Sequence, residues 1–227
     1  MEEEAGWIRF CMETEHLTPG ASLYGDPILH NYVSNPRLRL AAAELGRYEV
    51  ESCENVSDLC DRPDAGLLRI VCGRTCGCTD PHSKVWFKVP ALGCSEFCLQ
   101  MAEDALKASE ICQDVAPDSR WSELWDAYIP ALSYKLGTDV TASTTFFRDI
   151  QNQIAAMKGL GCSALLHPEL NKEYTSQRFW CEGDPELFRA FGYYCPVSCG
   201  CRSGTPPKYC PRSCAVNRTD NSTGGSG

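Results

Sequence analysis

The sequence predicts a mainly α-helical, disulfide-rich fold of two tandem cysteine-rich repeats, with long loops held by disulfide bonds. Three observations support this prediction. Cysteine contributes 16 of the 227 residues, close to the range of secreted disulfide scaffolds. These cysteines fall into two blocks with a shared spacing pattern. The stretches between the cysteines carry apolar residues at helical intervals.

The cysteines are expected to form disulfides rather than to bind a metal. Structural zinc sites usually contain CxxC pairs, whereas the spacings that recur here are CxxxC and CxC. The chain also has only four histidines. A zinc protein is the alternative, but we predict disulfides, no metal site and no cofactor. Disulfides persist in oxidising compartments, which points to an extracellular or secretory-lumen location.

An internal repeat is visible in two seven-residue strings, Cys72–Cys78 and Cys195–Cys201, which share the pattern C-x-x-[ST]-C-G-C. A second CxxxC pair follows each string. The first repeat would contain Cys11, Cys53, Cys60, Cys72, Cys76, Cys78, Cys94 and Cys98. The second would contain Cys112, Cys162, Cys181, Cys195, Cys199, Cys201, Cys210 and Cys214.

The even count of eight cysteines in each repeat is what a closed disulfide unit needs. We therefore predict that bonds form within each repeat and in corresponding order, without assigning individual pairs. The predicted domains are residues 1–105, residues 106–214 and a flexible tail or linker at residues 215–227.

Two helices are predicted in the first repeat. Asn35 is a suitable N-cap, Pro36 occupies the favoured first helical position, and Gly46 ends the segment. The second helix is predicted over Glu96–Ile111. Lys84–Val89 is the best strand candidate, with an extended loop as the alternative.

Two further helices are predicted in the second repeat. One follows Asp118 and carries core-facing aromatic residues, with Pro130 bending or ending it. The other follows Ser143 and closes at Gly159 and Gly161.

Three N-x-[ST] sequons agree with a secretory location: Asn55, Asn217 and Asn221. We expect Asn217 and Asn221 to be glycosylated before Asn55, which lies between two cysteines. The chain begins with the acidic Met1-Glu2-Glu3-Glu4 and no apolar stretch follows, unlike a signal peptide. We therefore expect the sequence to be part of a longer protein or to lack its true start.

Charge and hydropathy argue against two partner classes. The formal net charge is −9, whereas nucleic-acid binding relies on clustered Lys and Arg. No apolar run reaches the 18 or more residues expected of a membrane span. We expect no nucleic acid partner and no membrane span in this chain.

The segments Cys60–Cys78 and Cys181–Cys201 resemble the ShK toxin-like (ShKT) domain, a short helical extracellular module. Its Ser/Thr-Cys-Gly core matches Thr75-Cys76-Gly77 and Ser198-Cys199-Gly200. The final spacing here is C-x-C, whereas the family has C-x2-C. The sequence is also similar to cysteine-rich extracellular repeats of unicellular algae. Either resemblance implies a secreted or ectodomain module and neither implies a catalytic site.

No residue pattern in the sequence predicts catalysis. Cys76/Cys78 and Cys199/Cys201 could form redox dithiols, which makes a thiol–disulfide oxidoreductase one alternative. Their repetition among other cysteines favours structural bonding. The acidic pairs Asp61/Asp64 and Glu182/Asp184 are expected on the solvated surface, and His82 in an exposed turn.

The function predicted from these observations is non-catalytic adhesion or recognition, with a protein or glycan as ligand. The second alternative is a secreted inhibitor or channel ligand. Lys208-Tyr209 resembles the Lys–Tyr pair with which ShKT toxins block potassium channels. Such a ligand could also use an exposed loop at residues 82–92.

Overall fold

The computed structural model of the chain describes residues 11, 27–108, 111–137, 145–170, 176–203 and 209–214. Helices dominate these ranges, which confirms the mainly α-helical, disulfide-rich fold. The α-helices are α1 Pro27–Glu44, α2 Gly66–Val71, α3 Glu96–Lys107, α4 Ser119–Asp126, α5 Tyr128–Leu136, α6 Thr145–Leu160 and α7 Gln177–Glu182. The strands are β1 Gly183–Asp184 and β2 Phe188–Arg189. Short 3-10 helices span Cys53–Leu59, Pro90–Leu92, Gly161–Leu166, Pro168–Leu170, Phe191–Tyr193 and Arg212–Cys214.

The chain divides into two compact units. The N-terminal unit comprises residues 1–102 together with Pro185–Arg189. The C-terminal unit comprises residues 103–184 and 190–227. The N-terminal unit therefore contains one segment, residues 185–189, from the second half of the sequence.

The core of the N-terminal unit forms where α1 contacts α2. Leu38, Ala41 and Ala42 of α1 are buried at helical spacing, and Leu68 and Val71 of α2 belong to the same cluster. Cysteines at positions 53, 60, 72 and 76 complete this cluster, so disulfides provide part of the core.

The start of α1 differs from the sequence prediction. The helix begins at Pro27, so Asn35 is not its N-cap, and Pro36 lies inside it. A proline removes one helical hydrogen bond without always ending the helix, which is why the local rule fails here. The predicted end is confirmed, because α1 stops at Glu44 and Gly46 adopts the left-handed conformation with φ of 83°.

Residues 85–89 of the N-terminal unit are buried but do not form a regular strand. Trp86 makes a single antiparallel bridge to Phe188, and the two rings meet edge to face at 5.4 Å. Phe87 has a positive φ of 62°, which interrupts extended pairing. The segment 82–92 is therefore not exposed at its centre, in contrast to what an inhibitory loop requires.

Arg189 connects β2 to the loop before residue 85 within the N-terminal unit. Its buried guanidinium donates through Nη2 to the carbonyl oxygens of Asp80 at 2.5 Å and Ser83 at 2.8 Å. The segment Pro185–Arg189 is thereby an integral part of this unit.

The core of the C-terminal unit is aromatic. Trp125 stacks on Phe191 at 4.8 Å between ring centroids and meets Trp180 edge to face at 5.1 Å. Trp121 is buried beside Trp125 and donates through Nε1 to the Met157 carbonyl at 2.5 Å. The predicted core-facing position of the aromatic residues after Asp118 is confirmed.

The helices of this unit follow the predicted positions with shifted ends. Asp118 caps α4 by accepting a hydrogen bond from the Trp121 amide at 2.9 Å. The predicted third helix is divided into α4 and α5 at Ala127, and Pro130 lies in the first turn of α5, where a proline is tolerated. The helix predicted over Glu96–Ile111 corresponds to α3, which begins in the N-terminal unit and ends earlier than predicted, at Lys107. Within the described ranges, no helix is long and apolar enough to cross a bilayer.

Candidate functional site

All 16 cysteines are bonded, and every bond lies within residues 11–98 or within residues 112–214. In the first half, the pairs are Cys11–Cys98, Cys53–Cys72, Cys60–Cys76 and Cys78–Cys94. In the second half, they are Cys112–Cys214, Cys162–Cys195, Cys181–Cys199 and Cys201–Cys210. Numbered in order, both halves pair the first cysteine with the eighth, the second with the fourth, the third with the fifth and the sixth with the seventh. The pairing agrees with the predicted order.

The two C-x-x-[ST]-C-G-C segments, named here the CGC turns, have the same backbone hydrogen bonds. The amide of Cys76 donates to the Cys72 carbonyl at 2.8 Å, and that of Cys199 donates to the Cys195 carbonyl at 2.8 Å. The amide of Cys78 likewise donates to the Gly73 carbonyl at 2.8 Å, and the amide of Cys201 donates to the Pro196 carbonyl at 2.8 Å.

A left-handed glycine completes each CGC turn. Gly77 has φ of 74° and Gly200 has φ of 86°, a region that side chains with a Cβ rarely occupy. The glycine between the two cysteines therefore has a conformational role. Neither CGC pair is bonded within itself, so the two cysteines that flank each glycine have different partners.

The hydroxyl of Ser198, in the second CGC turn, is a hydrogen-bond donor to Asp114. The Oδ1 of Asp114 accepts the amide of Val197 at 2.7 Å, and its Oδ2 accepts the Ser198 hydroxyl at 2.6 Å. The Ser198 amide also donates to this carboxylate at 3.2 Å. Sequence reasoning missed Asp114, although it follows Cys112 by two residues, as Glu13 follows Cys11.

The CGC cysteines are buried and each is bonded to a partner outside its own turn. An oxidoreductase needs an accessible sulfur that can become a thiolate. In the described state, the four sulfurs of Cys76, Cys78, Cys199 and Cys201 are in structural positions.

Arg69 joins the loops of the N-terminal unit and was missed by sequence reasoning. Its side chain is fully buried on α2 and donates to four backbone carbonyls. They belong to Cys60, Arg62, Pro63 and Leu92, at 2.6 to 3.2 Å. Charged hydrogen bonds of this kind stabilise loops that lack regular secondary structure.

A second buried cation, Lys88, is paired with Asp61. Lys88 is 1 % exposed, and its Nζ donates to Asp61 Oδ1 at 3.0 Å. Burial lowers the pKa of Lys88 to about 8, an effect that the Asp61 carboxylate only partly offsets. Burial alone would raise the pKa of Asp61, but Lys88 and Lys84 bring it below its usual value.

The acidic pairs expected on the solvated surface are engaged in ion pairs. Asp61 contacts both lysines, as above, and Asp64 pairs with Arg62 at 2.6 Å. In the C-terminal unit, Glu182 pairs with Arg178 at 3.0 Å and Asp184 with Lys135 at 2.5 Å. These carboxylates are therefore structural partners of basic side chains.

His82 and Tyr209 are placed differently with respect to solvent. His82 is exposed, and its amide donates to Asp80 Oδ1 at 2.8 Å, which confirms the predicted turn. Tyr209 is buried and stacks on Tyr193 at 6.0 Å. A channel-blocking pair needs an exposed tyrosine, which this position does not offer, and Lys208 lies outside the described residues.

An open concavity of about 700 Å³ lies on the N-terminal unit, beside the first sequon. Tyr48 in its lining is 77 % exposed. The lining residues are Arg39, Arg47, Tyr48, Glu49, Val50, Glu51 and Asn55. Asn55 is exposed, whereas Asn217 and Asn221 lie outside the described residues. Over the described part of the chain, no group of three or more His, Cys, Asp or Glu side chains is placed to hold a metal.

Comparisons with protein-family models, with curated proteins and with solved structures give no match to this chain.

Proposed function

We propose that the chain is a non-catalytic extracellular binding module of two tandem disulfide-stapled repeats, which recognises a protein or glycan ligand. The observation that carries this proposal is the common disulfide connectivity of the two halves. Eight cysteines can pair in 105 ways. Agreement of both halves on one pairing is therefore a strong argument for two copies of one module.

The matched CGC turns strengthen the proposal of a repeat. Both turns have a left-handed glycine at the same position and the same sequence of backbone hydrogen bonds. The second cysteine of each half, Cys53 or Cys162, also lies in a 3-10 helix. The ShKT-like resemblance rests on the sequence of these same turns, Thr75-Cys76-Gly77 and Ser198-Cys199-Gly200.

An extracellular location is supported by the number of disulfides. Eight bonds in one chain are stable in an oxidising compartment and uncommon in the reducing cytosol. A recognition role follows by analogy, because small disulfide-rich modules present rigid surfaces for ligands. Asn55, Asn217 and Asn221 would carry glycans in this setting.

The test is to secrete the chain from a eukaryotic host and to count its thiols with and without denaturant. A binding module should show none, and a non-reducing peptide map should return the eight pairs. The intact protein should then bind a defined array of glycans or extracellular proteins, and reduction should abolish the binding.

A thiol–disulfide oxidoreductase would give a different result. It should show a rapidly alkylated dithiol at Cys76/Cys78 or Cys199/Cys201 under mild reduction, and it should catalyse the reduction of insulin. Either result, or a bond between the two halves, would contradict the proposal.

A further inference from the structure

We propose that Asn55 carries an N-linked glycan whose first sugars lie in the adjacent concavity, against the exposed ring of Tyr48. This inference rests on the proposed function, because N-glycosylation requires passage through the secretory pathway. It deepens that function by identifying one modified surface of the N-terminal unit.

The side chain of Asn55 is held in a way that leaves its nitrogen available. Its Oδ1 accepts hydrogen bonds from the amides of Glu51 at 3.3 Å and Ser52 at 3.1 Å, and from the Ser52 hydroxyl. Nδ2 donates to none of the described residues. The amide plane is thus fixed through its oxygen, and attachment at Nδ2 keeps all three contacts.

The sequon around Asn55 lies on the surface of the 3-10 helix Cys53–Leu59. Asn55 and Ser57 are exposed, while Val56 between them points into the core. The disulfides of Cys53 and Cys60 hold both ends of this helix. The acceptor nitrogen and the hydroxyl that completes the sequon are therefore presented together on the solvent side.

The modification is a glycosyl transfer from a lipid-pyrophosphate-linked oligosaccharide. Nδ2 of Asn55 attacks the anomeric carbon, and a carbon–nitrogen bond forms as the carbon–oxygen bond to the pyrophosphate breaks. The lipid pyrophosphate leaves with the bonding electrons, and Nδ2 loses one of its two protons to the transferase base.

The concavity has the chemistry that a sugar requires. Its volume of about 700 Å³ lies in the range of small-ligand sites, about 300–1,000 Å³. The ring of Tyr48 offers an apolar face for sugar C–H groups, and arginine and glutamate side chains offer partners for hydroxyls. The orientation of Arg47 is set by two hydrogen bonds, because its guanidinium donates to the Asp58 carboxylate at 2.8 Å and to the backbone carbonyl of Asn55 at 3.0 Å.

The attached glycan is favoured over a free sugar as the occupant. Asn55 is itself part of the lining, so a sugar linked to it is delivered at a high local concentration. Contacts too weak to retain a free sugar are then sufficient to order the attached one.

The experiment uses the full chain secreted from a eukaryotic host, with Asn217→Gln and Asn221→Gln in every sample. Peptide mapping reports the occupancy of Asn55. N-acetylimidazole, which acetylates exposed tyrosines, reports the accessibility of Tyr48. Tyr134, which is 46 % exposed and lies outside the concavity, is the internal control.

We expect Asn55 to be occupied and the acetylation of Tyr48 to be slower than in Ser57→Ala, which removes the sequon but keeps Asn55. Ser57→Thr restores the sequon and should restore the protection. Tyr134 should react at the same rate in all three proteins.

Two results would overturn the inference while leaving the proposed function intact. One is a secreted, fully disulfide-bonded protein with Asn55 unoccupied. The other is an occupied Asn55 with no change in the acetylation of Tyr48. A secreted product with free thiols would instead refute the proposed function, and this inference with it.

Discussion

Removal of corresponding disulfides from the two halves should destabilise their own units by equal amounts. Cys60–Cys76 and Cys181–Cys199 both join the third and fifth cysteines, across separations of 16 and 18 residues. The chain-entropy relation for loops of this length gives about 3 kcal/mol for each bond. The four cysteines are 3–8 % exposed, so the packing lost on substitution is also similar.

The variants are Cys60→Ala with Cys76→Ala, and Cys181→Ala with Cys199→Ala. Hydrogen exchange read by mass spectrometry assigns the loss of protection to one unit, and urea unfolding gives its magnitude. We expect a loss of about 3 kcal/mol, confined to the unit that carries the substitutions.

The sixth-to-seventh bonds serve as the control. Cys201–Cys210 spans 9 residues, whereas Cys78–Cys94 spans 16. Removal of Cys201–Cys210 should therefore lower the free energy of unfolding by about 0.5 kcal/mol less than removal of Cys78–Cys94. The equivalence of the halves would be refuted if removal of Cys60–Cys76 unfolded its unit while removal of Cys181–Cys199 left the free energy of unfolding unchanged, or the reverse.

Three further predictions concern single side chains. The pKa of Lys88 falls from 10.5 to about 8 on folding, so between pH 8 and pH 10.5 the unfolded chain binds more protons than the folded one. The free energy of unfolding should therefore rise with pH across this range, by up to about 3 kcal/mol. Lys88→Met should flatten this rise in urea titrations at successive pH values, and an unchanged slope would contradict the assignment. Gly192→Ala should lower the stability measured by thermal unfolding by about 1–3 kcal/mol, because the added Cβ would lie 1.8 Å from the Tyr209 ring. The control is Gly159→Ala, which should be neutral or stabilising because no described neighbour lies within 4 Å of the added Cβ. Asp114→Ala should speed amide exchange in the second CGC turn and lower the free energy of unfolding by about 1–3 kcal/mol, with a smaller loss for Asp114→Asn. Equal exchange in both variants and the parent would contradict the role assigned to the Asp114 carboxylate.

The closure of the disulfides within each half, in corresponding order, could be predicted from the sequence because cysteine spacing is a one-dimensional property, whereas the individual pairs could not be assigned. The two CGC turns have identical spacing, and each begins a CxxxC segment whose cysteines must find partners within reach. Periodicity also placed the buried aromatic residues after Asp118. Both predictions come from spacing patterns that can be read along the chain without knowing which distant residues meet.

The interactions missed from the sequence are those between distant residues. Lys88 lies 27 residues from Asp61, and the carbonyl that Arg69 contacts at Leu92 is 23 residues away. A buried lysine or arginine is unfavourable unless such partners exist, so no local pattern indicated that these side chains lie in the interior. The start of α1 was missed for a different reason, since Pro36 occupies an interior position that the helix tolerates.

The discontinuity of the N-terminal unit has a consequence for inheritance. Residues 185–189, with the Arg189 contacts to Asp80 and Ser83, belong to this unit but are encoded within the second half. Recombination at residue 102 would therefore separate this unit from five of its own residues. A module with contiguous coding sequence can be shuffled between genes, whereas these two halves are expected to be gained and lost together.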